Sequence, residues 1–159
     1  MLKLPKIVLF DWNDTLVNNL NIPLPGAIEF INILYEDGVI LGVVSNKPQS
    51  SLENIILKLG LNKFFTAIVG AGKAFEIKPS GLHAKQAISE IINITELNLK
   101  NFDECWLVGD SSHDVSCALN AGCIPILIAD FVSTNNQYVI EKDLLSLMNI
   151  YINLKCITV

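Results

Sequence analysis

A three-layer α/β sandwich built on a mainly parallel, five-stranded sheet is the fold this sequence predicts, and three observations carry the prediction. Short β-rich runs alternate with stretches of helical periodicity along the whole chain. The first run, Lys6 to Phe10, is continuously apolar behind its lysine, as a strand buried on both faces has to be. No repeat, low-complexity tract or linker interrupts the alternation, so residues 1–159 read as a single domain. Strand–helix alternation at this rhythm implies a parallel sheet covered on both faces through right-handed crossovers, a Rossmann-like arrangement.

The elements follow in order. After the strand at Lys6 to Phe10, residues Pro25 to Asp37 carry Ile28, Ile31, Leu34 and Tyr35 at helical spacing, with proline near the start and Gly38 just past the end. Val39 to Val44 is the second strand. Ser50 to Leu59 is a helix closed by Gly60, and Ala67 to Val69 a short third strand. Ser80 to Asn93 forms a long helix with Ser80 as its cap, and Leu82, Ile88, Ile91 and Ile92 are expected on its buried face. Glu104 to Val108 is the fourth strand, Asp114 to Ala121 a helix ended by Gly122, Ile124 to Ile128 the fifth strand, and Ile140 to Ile150 a closing helix.

The bulk properties narrow the function classes. A chain of 159 residues can bury a sizeable core. Its formal charge of −5 and pI of about 4.9 give no electrostatic footprint for nucleic acid or an anionic membrane. The mean hydropathy is +0.45, yet the apolar stretch from Cys123 to Val132 already contains Pro125 and Asp130, well short of the roughly 20 residues a membrane span needs. The apolar run behind the basic N-terminus stops at Asp11, which predicts no signal peptide. The four cysteines (105, 117, 123 and 156) make no C-x-x-C pair, and with His83 and His113 they show no zinc spacing. Reduced, mostly buried thiols in a cytoplasmic protein are expected.

In an open α/β sheet, ligands bind beyond the carboxyl ends of the strands, so the polar residues just after each strand should converge. After the first strand stands Asp11, after the second Ser45-Asn46, and after the fourth Asp110. The connection behind the third carries Lys73 and Lys78. A carboxylate, a hydroxyl, an ammonium and an acidic cluster on one rim suit phosphoryl transfer. The carboxylate can attack phosphorus, a hard cation held by oxygens can neutralise the phosphate, and the hydroxyl and lysine can grip its remaining oxygens.

Between Lys6 and about Ala129 the chain resembles the haloacid dehalogenase-like superfamily, in particular its capless phosphatase branch. The family's D-x-D-x-T is matched by Asp11-Trp12-Asn13-Asp14-Thr15, and its strand-ending Ser or Thr by Val43-Val44-Ser45-Asn46. Its Lys-Pro is matched by Lys78-Pro79, and its G-D-x-x-x-D by Gly109-Asp110-Ser111-Ser112-His113-Asp114. The resemblance implies Asp11 as nucleophile and magnesium ligand, with the backbone carbonyl of Asn13 and Asp110 as further Mg²⁺ ligands. It implies Asp114 completing the acidic cluster through water or by orienting Lys78. Ser45, Asn46 and Lys78 would bind the phosphate, and Lys78 would also offset charge between Asp11 and the transferred group. Lys73 and His113 are read as solvated, and Trp12 as a packed wall of the site whose indole N–H wants a partner.

One position departs from the pattern. Two residues after the nucleophile the family usually has a carboxylate, which protonates the leaving alcohol and then activates water. Here Asn13 stands there, and a carboxamide exchanges no proton at useful pH. Such help is typically worth about 10²–10⁴-fold, so alkyl phosphates should suffer most and acyl or aryl phosphates least. Asp14, where the family usually has glycine, could substitute only through a local twist, because adjacent extended side chains point in opposite directions. The readings that follow are a magnesium-dependent phosphatase acting through an aspartyl phosphate, a weakened phosphate-binding interaction protein, and a dehalogenase. The Asp110 and Asp114 pair argues against the last.

The intervals from Asp11 to Ser45 and from Ser45 to Lys78 are used up by core elements, leaving no room for the cap domains that family members insert there. Val17 to Leu24 can form only a small flap. An uncapped site predicts either a bulky or macromolecular phosphorylated partner beside small phosphorylated molecules, or a second copy of the chain that covers the opening.

Overall fold

A computed structural model of the protein describes residues 2–131 and 138–158. The predicted domain 1–159 therefore includes residues, 132–137 among them, that lie outside the described ones.

The strands are β1 (Ile7–Phe10), β2 (Ile40–Pro48), β3 (Phe65–Ala71), β4 (Cys105–Gly109), β5 (Ile124–Ile128) and β6 (Val139–Glu141). They form one sheet in the order β3-β2-β1-β4-β5-β6, and every pairing is parallel. The helices are α1 (Ala27–Glu36), α2 (Gln49–Lys58), α3 (Gly81–Thr95), α4 (Ser112–Ala121) and α5 (Leu144–Thr158). β1 is central and completely buried. Its alternate residues feed two cores, as the two-residue period of a strand requires. Val8 and Phe10 join Phe30, Leu34, Ile56 and Tyr151 on one face, while Ile7 and Leu9 join Ala84, Ile88, Ile91 and Ala118 on the other. α1, α2 and α5 thus cover one face, and α3 and α4 the other.

The direction of winding reverses between β1 and β4. From β1 the chain moves outward through β2 to β3, crosses back over α3, and moves outward again from β4. The loops beyond the carboxyl ends of β1 and β4 therefore diverge, and the crevice between them is where such folds bind ligands.

The predicted α/β class holds, with differences in detail. Among the described residues the sheet has six strands rather than five. The segment expected to open the closing helix at Ile140 is instead the edge strand β6, and the helix starts at Leu144 and runs on to Thr158. Asp143 fixes that start, its carboxylate accepting the Ser146 N–H at 2.8 Å, and a three-residue strand is too short to announce itself by alternation. β2 continues past Val44 to Pro48, and β3 is longer than Ala67 to Val69. Leu82, expected on the buried face of α3, is 45% exposed. That face is made by Gly81, His83, Ala84, Ala87, Ile88 and Ile91 instead. α3 lies so close to α4 that a Cβ on Gly81 would come within 2.6 Å of the Asn120 carbonyl carbon. Ser80 caps α3 as predicted, accepting from Leu82 N at 3.2 Å. Among the described residues no helix is long and apolar enough to cross a membrane.

Candidate active site

The strand ends bring the predicted residues together. Asp11 follows β1 and is held in line with β4, its N–H donating to the Val108 carbonyl at 2.9 Å. Lys78 reaches in from the β3–α3 connection, and its ammonium donates to Asp11 Oδ1 at 2.8 Å and Asp114 Oδ1 at 2.6 Å. The side chains of Lys78 and Asp114 are almost wholly buried, and that of Asp11 keeps 14% exposure toward the cleft. Lys73 is turned away, pairing with Glu90 at 3.2 Å. The preference for Lys78 over Lys73 thus has a geometric basis: only Lys78 enters the crevice.

Asp114 shows how local sequence builds the site. Ser111 and Asp114 form a capping box at the start of α4, which satisfies the free N–H groups of the first helical turn and places a carboxylate at the positive end of the helix dipole. Asp114 Oδ2 accepts from the N–H groups of Asp110 and Ser111, both at 3.1 Å, and from Ser111 Oγ at 3.0 Å. Gly109 leaves room for this, since a Cβ there would collide with the Asp114 carboxyl group. Both Asp114 oxygens are therefore engaged, one orienting Lys78 and one fixing the Asp110 loop. Asp110 is steadied from across the crevice by Thr15, whose hydroxyl donates to Oδ1 at 3.1 Å.

β2 supplies the opposite wall. Val44 pairs with Val69 and Pro48 with Ala71, so Ser45, Asn46 and Lys47 stand opposite the single residue Gly70. This bulge breaks the in–out alternation, and all three residues line the cleft. Ser45 is buried, with its hydroxyl accepting from Lys47 N at 3.1 Å. The Asn46 side chain is committed to the Lys78 backbone: Nδ2 donates to the Lys78 carbonyl and Oδ1 accepts the Lys78 N–H, each at 3.1 Å.

The cleft encloses about 400 Å³ and is bordered by Asp11, Asn13, Asp14, Ser45, Asn46, Lys47, Lys78, Asp110, Ser111 and His113. Asp14 has φ +60° and donates its N–H to the Val17 carbonyl at 2.7 Å. The local twist that alternation would otherwise forbid is therefore present, and Asn13 and Asp14 border the same cleft. His113 is exposed on the rim, as expected of it. The predicted flap is a short loop bridged at Val17 to Asn13 and Pro23. Trp12 departs from expectation: it is completely buried, but its indole N–H has no acceptor among the described residues.

The electrostatics follow from the burial. Burial and the neighbouring Asp114 push the Asp11 carboxyl up to about 7, against the opposing pull of Lys78. Burial alone would lower Lys78, but Asp11 and Asp114 outweigh it and hold the ammonium above its ordinary value. Asp11, Asp110 and Asp114 each present a carboxylate oxygen within 4.8 Å of the others. Lys47 and Lys78 against Asp11, Asp14, Asp110 and Asp114 leave carboxylates in excess in a partly dry crevice, and an all-oxygen donor set fits a hard cation such as Mg²⁺. Both Asp114 oxygens already accept hydrogen bonds, whereas Asp11 and Asp110 each have one oxygen without a side-chain partner and could hold such an ion.

Two members of this arrangement escaped sequence reasoning. Thr15 lies inside the first motif, and its place as that motif's closing residue was the available signal. His83 is buried at 0% exposure, accepts the Lys78 N–H on Nδ1 at 3.1 Å and faces the Val69 carbonyl with Nε2 at 2.8 Å. Nothing in its local sequence marks it.

Comparison with known proteins adds an independent line. The family model described as haloacid dehalogenase-like hydrolase matches residues 3–128. The pyrophosphatase PpaX of Listeria welshimeri is 30% identical over 104 residues, which cover 65% of this chain and 45% of that protein. The phosphoglycolate phosphatase of Neisseria meningitidis is 31% identical over 104 residues, covering 65% and 41%. The chain thus spans less than half the length of these curated relatives. A haloacid dehalogenase-superfamily hydrolase from Ehrlichia chaffeensis, known from its crystal structure, superposes with a TM-score of 0.81 at 20% identity, covering 98% of this chain and 100% of that one, which establishes the shared fold.

Proposed function

The chain belongs to the haloacid dehalogenase-like hydrolase family, and on that premise we propose that it is a magnesium-dependent phosphohydrolase acting through an aspartyl phosphate on Asp11. The observation that carries the reading is the buried Asp11–Lys78–Asp114 triad beside Asp110, with one Asp11 edge open to the cleft. In the first step an Asp11 oxygen attacks phosphorus and the bond to the leaving oxygen breaks. In the second, water cleaves the acyl phosphate, releasing inorganic phosphate and restoring the carboxylate. Lys78 lies between Asp11 and Asp114, where its charge offsets that of the entering phosphate. The Ser45 hydroxyl is a donor left for phosphate oxygens, since the Asn46 side-chain amide and the Lys47 N–H are both occupied. Mg²⁺, held by Asp11, Asp110 and the Asn13 carbonyl, would supply further neutralisation of phosphate charge.

Asn13 sets the substrate class. Without a carboxylate there, leaving groups that depart without a proton are favoured. Acyl and aryl phosphates qualify, and so does a phosphoanhydride, whose leaving group is itself a phosphate; one of the similar proteins is named a pyrophosphatase. The open cleft admits bulky phosphorylated substrates or a second copy of the chain, and the size of the protein in solution distinguishes these. We place the protein in the cytoplasm because Cys105, Cys117 and Cys123 are buried free thiols, the state a reducing compartment maintains.

The test is hydrolysis of an aryl phosphate with and without magnesium, beside Asp11→Asn as the inactive control. Magnesium-dependent turnover abolished by the substitution is expected. Zero turnover with the ion bound would overturn the enzyme reading and leave the second one, a phosphate-binding protein weakened at Asn13.

A further inference from the structure

Lys78 carries its charge at the end of four methylenes, so where the ammonium sits depends on how firmly the backbone beneath it is held. Asn46 grips that backbone from β2, and a second grip comes from α3. His83, in the first turn of α3, is fully buried and has both ring nitrogens in use. A backbone N–H can only donate, so the Lys78 N–H fixes Nδ1 as the acceptor. The proton is then on Nε2, directed at the Val69 carbonyl. The ring spans the gap between β3 and the segment bearing Lys78 and ties them together as a neutral imidazole.

We propose that His83 is a positioning residue for Lys78: its Nδ1 sets the height of the Lys78 backbone, and through it the seat of the ammonium between Asp11 and Asp114. The chemistry selects histidine for this. An aliphatic side chain would fill the space but leave the Lys78 N–H to Asn46 Oδ1 alone, with nothing holding it from the α3 side, and a protonated imidazole would oppose one N–H to another. Only a neutral ring accepts on one edge and donates on the other over this span.

Two substitutions divide the two bonds. In His83→Asn the amide oxygen falls near the position of Nδ1 and can still accept the Lys78 N–H, while the Val69 carbonyl loses its donor. In His83→Gln the longer amide reaches toward Val69, and the Lys78 N–H loses one of its two acceptors, keeping only Asn46 Oδ1. A purely structural histidine predicts that both variants lose activity in step with their melting temperatures. The positioning role predicts similar losses of melting temperature but divergent turnover of an aryl phosphate in magnesium. The Asn variant should stay within about 3-fold of the parent, and the Gln variant should fall by about 10- to 100-fold in kcat with KM little changed, the scale expected of a misplaced catalytic group. Equal turnover in the two variants, or a less active Asn variant, overturns the proposal. Hydrogen exchange of the Lys78 amide, followed by ¹⁵N NMR in the full chain, reads the same bond without relying on the phosphohydrolase assignment. It should accelerate in His83→Gln and not in His83→Asn, and the same rate in both would equally overturn the proposal. If the parent chain hydrolyses nothing, the functional assignment falls while the exchange measurement still decides on His83.

Discussion

Replacing Asp11 by Asn should abolish turnover and at the same time make the metal-free protein more stable. Burial and Asp114 raise the Asp11 carboxyl from 3.8 to about 7, so between those pH values the folded chain holds a proton that the unfolded chain has released. Raising the pH through this window therefore costs the folded state stability: the contribution is intact below about 4 and gone above about 7. At about 1.4 kcal/mol per pH unit, the window sets a ceiling of about 4 kcal/mol at pH 8. Asn is neutral throughout and escapes that cost. For a domain of this size about 1 kcal/mol moves Tm by about 2–4 °C, so the variant should melt up to about 8–16 °C higher at pH 8 in chelator, with the gap closing toward pH 4. Magnesium should narrow the gap from the other side, stabilising the parent chain and not the variant; at 100 times Kd the gain is about 2.7 kcal/mol. Differential scanning fluorimetry across pH, with and without the ion, measures all of this. An Asp11→Asn variant that melts at or below the parent at pH 8 in chelator, or a gap indifferent to pH, would refute the reasoning.

Three further outcomes are expected. Asn13→Asp restores a proton donor and should raise alkyl phosphate turnover by about 10²–10⁴-fold; steady-state kinetics showing no change would mean that Asp14 or water already moves the proton. Gly81→Ala should destabilise by about 1–3 kcal/mol because the new Cβ meets the Asn120 and Ala121 backbone at 2.6 and 2.7 Å. Helix propensity alone favours Ala by about 1 kcal/mol, so the sign of the change in denaturant unfolding decides whether the close approach of α3 and α4 is real. Asp37 accepts from Lys155 at 2.6 Å and from the Tyr151 hydroxyl at 2.8 Å, tying α5 to the end of α1, and Lys155 foremost holds its carboxyl below the usual carboxylate range. Asp37→Ala should cost about 1 kcal/mol at neutral pH, this tie being largely solvated, and nothing once the pH falls well below about 4, where the parent also loses the contribution.

The strand ends were the legible part of this protein. Ile7 to Phe10 is apolar throughout because parallel strands are buried on both faces, and that placed Asp11 on the rim before any contact was known. Asp110 and Asp114 were legible as a motif, and Ser111, three residues before Asp114, supplies the other half of the capping box that starts the helix. Leu82 was misread because periodicity reports which residues could share a face, whereas the crossing of α3 and α4 decides which of them do. β6 was missed because three residues carry too little alternation to register.

From the first motif onward, then, the sequence by itself determined the α/β class, the position of Asp11 at the end of the first strand, the oxygen-rich character of the rim and the absence of a carboxylate at Asn13. These are properties of residue type and local spacing. Tertiary structure decided what holds those groups in place: Asn46 turned to the Lys78 backbone, Thr15 to Asp110, Asp14 twisted into the cleft, and His83 bridging Val69 and Lys78. Apart from the Asp14 turn, which Val17 holds within the same loop, each depends on a hydrogen bond of about 3 Å between atoms fixed by different elements. Such a distance follows from how strands and helices pack against one another, which no local pattern of residues records.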